Sequence, residues 1–331
     1  MASDSVIATH MPFTRRAALT VTGLGAITTA ALASYAVWRG DRTPMKDEQK
    51  IRRDREFDWG KWLGEWDSDA RLAVARMLVR FGVTGPETTG LKDYFRKQAL
   101  EAGHSLPEEI LSPLGSSGEL DLDAAGRLMR DARERIAELS QYVNYSVEDY
   151  AWLVIRNDGI SFPPATTAEF NSVQARLGIQ FPHAFSQFLR VSNGWLSLLA
   201  RIVPIGQAAR FGEKDPEYVA IWSEGRDDIC DDQYFVYGVG RQDTIYYRSR
   251  YLKDCLLISA PVVEPNNRVL LNPAVRFADG EWETWFMAPW LAGAVRYQSF
   301  IELMEQLRRE DTEHFRYLSG EKKPPRVQPP R

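Results

Sequence analysis

The sequence is short of the residue types from which metal centres and disulfide frameworks are built. It contains two cysteines, Cys230 and Cys255, and four histidines in 331 residues. Two cysteines exclude the multiple disulfides that hold small secreted domains together, and they leave a single bridge open. The histidines lie far apart, and no two of them have the spacing of a metal-ligand pair on a helix. We therefore predict no bound metal and no cofactor.

The sequence also lacks an excess of basic residues. Its formal net charge is -4 and its isoelectric point is about 5.7. Proteins that bind nucleic acids carry a basic surface, so the composition argues against direct nucleic-acid binding. Apolar residues make up 44% of the chain and charged residues 26%. These values are ordinary for a globular chain with a buried core, and the length suggests about two domains.

Long uncharged runs are absent apart from one near the N-terminus, Ala17–Trp38. At a rise of about 1.5 Å per residue this run is long enough to cross a bilayer, although its alanine, glycine and threonine content makes it only moderately hydrophobic. We therefore predict that residues 1–45 are a hydrophobic anchor or signal with residues 17–38 as its apolar core.

Three interpretations of residues 1–45 compete: a single membrane anchor, an export signal of the twin-arginine type, or a start codon placed too early, with Met45 as the true first residue. Arg15-Arg16 precedes the run and Ala31-Leu32-Ala33 resembles a cleavage site, as in an export signal. Basic residues are concentrated after the run: Arg39, Arg42, Lys46, Lys50, Arg52, Arg53 and Arg55. By the positive-inside rule we predict one span of the bacterial inner membrane with a cytoplasmic body.

The region from residue 46 to residue 155 is predicted to be mostly helical. Trp59, Trp62 and Trp66 recur at helical spacing and share one face. Such a face is either an interfacial belt beside a membrane or part of a hydrophobic core. We expect a core, because the tryptophans come well after the uncharged run.

A longer helix is predicted from about Asp123 to Tyr142. Its apolar side chains recur at helical spacing, and opposite charges lie four residues apart on the other side, as in Arg127 with Asp131. We interpret Asp123 as the N-cap of this helix.

Residues 169–195 are predicted to form two short amphipathic helices and a glycine corner. Gly178 suits the end of the first helix, Pro182 the start of the second, and Asn193-Gly194 its end. The predicted buried side chains are Phe170, Val173, Leu177, Ile179, Phe185, Phe188, Leu189 and Val191.

After Trp195 the pattern changes to short β-prone runs separated by turn residues. These runs are Arg201–Ile205, Tyr234–Tyr237, Thr244–Arg248, Cys255–Ser259, Arg268–Asn272 and Gly280–Phe286. A helix follows from about Ser299 to Glu310, and residues 319–331 form a tail predicted to be disordered. Helices followed by a strand meander and a final helix indicate an α+β fold with an antiparallel sheet flanked by helices.

Few residues suggest an enzyme. Gly238-Val239-Gly240 lacks the third glycine of a dinucleotide fingerprint, and the sequence has neither a phosphate-binding loop nor a nucleophile elbow. Glu281 and Glu283 lie two apart on a predicted strand and would share one face. They are either an acid/base pair, as in a hydrolase, or part of a solvated face with Trp282 turned inward. We prefer the second interpretation.

The acidic segment, residues 224–232, is the most informative surface feature. Its carboxylates are Glu224, Asp227, Asp228, Asp231 and Asp232, offset by one arginine, Arg226. Such a local negative field steers a basic partner towards it and discriminates against acidic ones. A solvated loop and an oxygen-rich cation site are the alternative interpretations. Cys230 lies among these acids, which disfavour a thiolate.

An ordered set of motifs between about residues 159 and 316 resembles the SUKH superfamily, the domain of the Smi/Knr-type proteins. The set comprises Leu177-Gly178, Phe181-Pro182, Phe188-Leu189, Ser192-Asn193-Gly194-Trp195, Arg201–Ile205, Arg241-Gln242-Asp243, Leu271-Asn272-Pro273, Gly280-Glu281-Trp282-Glu283 and Arg296–Phe300. One departure is Ala184, where an acidic or polar residue often follows the proline, and it weakens a helix-start cap. The resemblance covers roughly half of the chain and nothing before about residue 150.

The resemblance implies an α+β domain, here residues 156–318, without a common catalytic site. Many bacterial members are immunity proteins that bind and neutralise a toxin, often a nuclease or a deaminase, and fungal relatives act as scaffolds in cell-wall signalling. We therefore expect a non-enzymatic immunity protein whose acidic segment faces a cognate toxin with a basic surface. The alternatives are a membrane-tethered scaffold or regulator of the cell envelope and a hydrolase that uses Glu281 and Glu283.

Overall fold

The computed structural model describes residues 57–83, 90–101, 108–116, 118–140, 147–223, 227–238, 240–260 and 267–321. Within them the chain forms a series of helices, then two antiparallel sheets interspersed with short helices, and last a long helix. This arrangement confirms the predicted α+β class. Residues 1–45 and most of the tail (322–331) lie outside the described residues, so the anchor, the export signal and the disordered tail stay predictions.

The helices of the described ranges are α1 (Trp59–Arg80), α2 (Leu91–Glu101), α3 (Glu108–Leu111), α4 (Leu122–Asp131), α5 (Arg133–Ser140), α6 (Val147–Arg156), α7 (Thr167–Leu177), α8 (His183–Val191), α9 (Phe211–Lys214), α10 (Pro216–Trp222), α11 (Asp231–Tyr234) and α12 (Phe300–Leu318). The strands are β1 (Trp195–Leu196), β2 (Arg201–Ile202), β3 (Ala209–Arg210), β4 (Leu256–Leu257), β5 (Ser259–Ala260), β6 (Arg268–Arg276), β7 (Trp282–Met287) and β8 (Ala294–Tyr297).

The tryptophans of α1 pack into a hydrophobic core, as predicted. Trp59 and Trp66 are buried and Trp62 is half-buried. The Trp59 ring lies 5.3 Å from the ring of Phe188 on α8, and Trp66 lies 5.1 Å from Trp195 on β1. One hydrophobic core, the first core, therefore runs from the helical region into the region with the sheets.

An ionic cluster fixes the chain where α6 leads towards the sheets. Arg71 Nε donates to Asp67 Oδ2 at 2.6 Å, and Arg71 Nη1 donates to Asp158 Oδ1 at 3.1 Å. The amide of Ile160 donates to Asp67 Oδ1 at 2.6 Å. Between them Gly159 has φ 117°, and a Cβ there would collide with the Arg71 and Asp67 side chains. A glycine is therefore required at this close approach.

The corner of residues 169–195 forms as predicted at its turn residues. Gly178 ends α7 with φ 66°, and Pro182 stands directly before α8 with φ -61°. The expected burial of Val191 is wrong, since 39% of it is exposed. Val191 lies on the solvent side of α8 next to the exposed Arg190, whereas Phe188 and Leu189 of the same turn face the core.

Two cores lie on the two faces of the larger sheet. Its strand order is β3-β4-β6-β7-β8, and the smaller sheet has the order β1-β2-β5, with antiparallel pairing throughout. Along β7, Trp282 and Phe286 belong to the first core, whereas Trp285 and Met287 belong to the second core. Both faces of the sheet are therefore covered, and the second core is closed by α9, α10 and residues 229–252.

Two predicted strands are wrong. Tyr234 ends α11, and Tyr237 follows it in a loop; residues 244–248 form turns and irregular backbone. Aromatic and β-branched residues raise β-propensity, but here Tyr234 is buried in the second core from the end of a helix and Tyr247 from irregular backbone. In addition, the strand predicted at 201–205 ends at Ile202.

The helix predicted from Asp123 to Tyr142 is two helices, α4 and α5, which meet at Ala132. Asp121 rather than Asp123 is the N-cap, because Asp121 Oδ1 accepts from the amides of Asp123 and Ala124 at 2.9 and 3.0 Å. Helix α12 continues to Leu318, eight residues beyond the predicted end, since its apolar face extends through Phe315. Helices α9 to α11 and strand β8 were not predicted.

Replacing Phe188 by Ala should lower the free energy of unfolding by about 3–5 kcal/mol, because the ring is fully buried among Trp59, Phe185 and Phe300. Val191→Ala on the same helix is the matched control, with an expected cost of at most about 0.5 kcal/mol. Urea unfolding measures both. A cost below about 1 kcal/mol for Phe188→Ala would contradict the assigned core.

Helix α12 also carries ionisable side chains on its buried side. Burial lowers the pKa of His314 to about 4. Burial raises the pKa of Asp311, against the lowering effect of hydrogen bonds from Ser197 and Leu198. A histidine that is neutral when folded and charged when unfolded links stability to pH.

Stability should therefore fall as the pH drops from about 6.5, the pKa of histidine in the unfolded chain, to about 4, because the unfolded state binds the proton first. The contribution is up to about 3 kcal/mol. His314→Gln removes it, while the opposite contribution of Asp311 is common to both proteins. Urea unfolding at several pH values should show the advantage of wild type over the variant shrinking towards pH 4. A pH-independent difference would mean that His314 is not buried in its neutral form.

Candidate functional site

Part of the acidic segment is held in place by hydrogen bonds and an ion pair to residues 248–250. Glu224 lies outside the described residues. Asp227 Oδ1 accepts hydrogen bonds from Ser249 Oγ at 3.2 Å and from the Arg250 amide at 3.0 Å. Asp227 therefore ties the start of the described segment to the short 3-10 helix at residues 249–254.

Asp231 forms an ion pair with Arg248, whose side chain is largely buried. Arg248 Nη2 also donates to the Ile229 carbonyl at 3.0 Å, and its guanidinium lies 4.3 Å from the centre of the Tyr234 ring. A planar guanidinium suits this combination, since it can bond at its edge while its face rests on an aromatic ring.

The side chains of Asp228 and Asp232 are exposed. Asp227 and Asp231 thus fasten the segment although they too are exposed, so all four described aspartates present charge at the surface. Within the described ranges no three His, Cys, Asp or Glu side chains are arranged to hold a metal ion.

A fully buried carboxylate, Glu283, lies beneath this segment on β7. Four uncharged side chains donate to it: Tyr234 Oη at 2.6 Å, Tyr237 Oη at 2.9 Å, Asn272 Nδ2 at 2.9 Å and Trp285 Nε1 at 2.7 Å. Arg296 Nη1 lies 3.4 Å from Glu283 Oε1, and both side chains are 0% exposed. A charge is tolerated inside a protein when it is paired and hydrogen-bonded in this way.

Arg296 bonds to the backbone of the covering segment, which we define as residues 227–238. Its guanidinium donates to the carbonyl of Tyr234 and, at 3.3 Å, to that of Val236. The Gln242 side chain donates to the Arg296 carbonyl at 2.7 Å and accepts from the Arg296 amide at 2.8 Å. Gln242 of the polar turn at residues 241–243 therefore holds the backbone of Arg296 by hydrogen bonds.

The hydrogen bonds of the Glu283 network hold neighbouring segments of the chain together. Burial, followed by the charge of Glu283, raises the pKa of both Tyr234 and Tyr237 above the ordinary tyrosine value. These hydroxyls stay protonated and act as donors. A carboxylate with this many protein donors has no open side for a substrate, which disfavours an acid/base role for Glu283.

Glu281 is also buried, so the prediction of a solvated face for Glu281 and Glu283 is wrong. Glu281 Oε1 accepts from the amide of Ala184 at 2.8 Å, in the first turn of α8. Pro182 supplies no side-chain cap to that helix. The Glu281 carboxylate therefore accepts a hydrogen bond from an otherwise unpaired amide at the helix start, and its negative charge interacts favourably with the positive end of the helix dipole. Glu281 thus supplies the helix-start cap that an acidic or polar residue at position 184 would otherwise provide, although Glu281 is distant in sequence.

The other residues of the resemblance have structural contacts. Asn193 Oδ1 accepts from the Ile205 amide at 2.7 Å. Gly194 has φ 126° and lies against the Ile202 carbonyl, and Gly280 has φ 88° in the turn before β7. Asn272 and Pro273 stand at the irregular pairing between β6 and β7, and Trp195 and Trp282 are buried. Both cysteines are free thiols, Cys230 exposed and Cys255 buried, so the single bridge left open does not form.

Sequence reasoning missed the members of the Glu283 network. Tyr234 and Tyr237 lie in a predicted strand, and no sequence pattern marks Arg248 and Arg296 as partners of carboxylates. The available signal was weak. It consisted of two tyrosines three residues apart next to an acidic run, and of charged residues within otherwise apolar strands.

Comparison of the chain with protein-family models, with curated proteins and with solved structures gives no match. The SUKH resemblance therefore stays a prediction based on the motifs quoted above. Among the helices that the structure describes, none combines the length and the apolar character needed to cross a membrane.

Asp227→Ala should lower the free energy of unfolding by about 0.5–2 kcal/mol, because it removes the acceptor for Ser249 and the Arg250 amide. Asp227→Asn keeps that acceptor oxygen and should restore most of the loss. Asp232→Ala, at an exposed position, should cost at most about 0.5 kcal/mol. Equal unfolding midpoints in urea for the two alanine variants would refute the fastening role of Asp227.

Proposed function

We propose that this chain is a non-enzymatic immunity protein that binds and neutralises a protein toxin with a basic surface, with residues 156–318 as a SUKH-like domain. The observation that carries the proposal is the acidic segment. Exposed carboxylates, Asp228 and Asp232, stand on a backbone that Asp227 and Arg248 hold in place. A fixed array of charges speeds association with an oppositely charged protein and selects against acidic partners.

The burial of the two candidate catalytic carboxylates supports the same proposal. Glu283 is surrounded by donors from its own chain, and Glu281 bonds to the start of α8. A hydrolase needs acid and base groups that a substrate can reach. The toxin's chemistry, nuclease or deaminase, enters the proposal only through the resemblance.

The first test is growth rescue when the full-length protein is co-expressed with the toxic product of a neighbouring gene. An immunity protein restores growth, whereas a membrane-tethered scaffold or regulator of the cell envelope does not. Absence of rescue, with both proteins present in the cell, would refute the proposed function.

The second test is binding of the double variant Asp228→Asn, Asp232→Asn to the same toxin. Exposed charge pairs are worth about 0.2–1 kcal/mol each, so the affinity at low salt should fall roughly 2- to 30-fold and the loss should shrink at high salt. Glu109→Gln, Glu119→Gln is the matched control, because it makes the same charge change at exposed sites on the helical region. Equal affinities for the two double variants would rule out the acidic segment.

A further inference from the structure

The covering segment has little regular structure of its own. Within residues 227–238, helix α11 has only four residues. Its backbone hydrogen bonds are local: the Tyr234 amide donates to the Cys230 carbonyl at 2.9 Å, and the Phe235 amide donates to the Asp231 carbonyl at 2.8 Å. Local bonds of this kind set the shape of one turn. They do not place the turn on the protein, so its position depends on side-chain contacts with other elements.

The hydrogen bonds that join residues 234–237 to the larger sheet all lead to one buried pair, Glu283 on β7 and Arg296 on β8. Glu283 accepts the hydroxyls of Tyr234 and Tyr237, and Arg296 donates to the carbonyls of Tyr234 and Val236. Four groups within residues 234–237 are thus bonded to two neighbouring strands. Together they fix both the height of the segment above the sheet and its direction across it.

The pair is itself held in one orientation. Asn272 on β6 and Trp285 on β7 donate hydrogen bonds to Glu283. The backbone amide and carbonyl of Arg296 both form hydrogen bonds with the side-chain amide of Gln242. The Arg296 guanidinium also lies 4.3 Å from the centre of the Tyr234 ring. Apolar side chains of the same volume could fill this space but would bond no particular carbonyl or hydroxyl, so they would leave the segment's direction undefined.

We propose that Glu283 and Arg296 are positioning residues that hold the covering segment in the conformation that binds the partner. The inference rests on the proposed function for the identity of the partner, while the anchoring itself is independent of it. A protein whose binding-competent conformation is only partly populated loses apparent affinity by that fraction. Loosening the anchor should therefore weaken binding without removing any exposed carboxylate.

Amide hydrogen exchange of the full-length chain tests the anchoring without a partner. Glu283→Gln keeps the size of the side chain and places an amide donor among donors. We expect the amides of Tyr234, Phe235 and Gln242 to exchange at least tenfold faster relative to amides of α12. Val173→Ala, a truncation in the first core, is the control for general destabilisation, and there we expect no such relative increase.

An equal relative increase in Glu283→Gln and Val173→Ala, or none in either, would overturn the anchoring. If Glu283→Gln does not fold, Arg296→Lys takes its place, since lysine keeps the charge but lacks the planar fork that reaches two carbonyls. Failure of both variants to fold would also overturn the proposal, because the pair would then support the whole fold rather than this segment.

Binding to the neighbouring gene product separates the two proposals. We expect Glu283→Gln to bind at least fivefold more weakly than wild type, with an unchanged slope of affinity against salt, because the exposed charges remain. The Asp228→Asn, Asp232→Asn variant should instead reduce that slope. Unchanged affinity of a folded Glu283→Gln would refute the positioning role and leave the proposed function standing. Absence of binding by wild type would refute the proposed function and leave the exchange result intact.

Discussion

Two carboxylates at the start of β7 have to be satisfied inside the protein, and each one fixes a different element on the sheet. Moving a carboxylate out of water costs several kcal/mol unless donors replace the water. Glu281 finds its donor at the start of α8, and Glu283 finds its donors on the covering segment and on Arg296. The residue between them, Trp282, packs in the first core. Three adjacent residues thus determine where a helix, a loop and the core meet.

The first core extends this dependence to the helical region. Trp59 and Trp66 on α1 contact aromatic residues of α8 and β1, and the Arg71 cluster fixes the chain after α6. Helix α12 lies against α1 as well. Because the aromatic contacts are apolar and buried, the helical region and the sheets stabilise each other, and a substitution on either side affects the packing of the same core.

The parts of the fold that local patterns determine could be predicted from the sequence. Helical spacing indicates α1, α7 and α8, turn residues such as Gly178 mark helix ends, and the runs at β6 and β7 are predicted as strands. The failures have a common cause. Tyr234 and Tyr247 lie in β-prone runs, but within the described residues neither joins a strand ladder. Both are instead buried in the second core, so burial overrides their propensity.

The candidate site was predictable only in its exposed part. A run of aspartates is visible in any sequence, and charge on alternate strand residues ordinarily means a wet face. The burial of Glu283 depends on Tyr234, 49 residues earlier, and on Arg296, 13 residues later. Contacts between residues so far apart produce no periodic pattern in the sequence. For the same reason Asp227 could not be distinguished from Asp232, although the first has backbone and hydroxyl partners and the second is exposed.

The separation between anchoring and exposed positions bears on how such a surface changes over evolutionary time. Within residues 227–238 the side chains that hold the backbone include Asp227, Asp231, Tyr234 and Tyr237, whereas the exposed side chains of Asp232, Gln233 and Phe235 make none of these hydrogen bonds. Substitutions at the exposed positions alter charge and shape at the surface with little effect on folding. Under the proposed function, a lineage could therefore exchange one partner for another by mutations at these few positions, while selection for stability preserves the tyrosines and the buried pair beneath them.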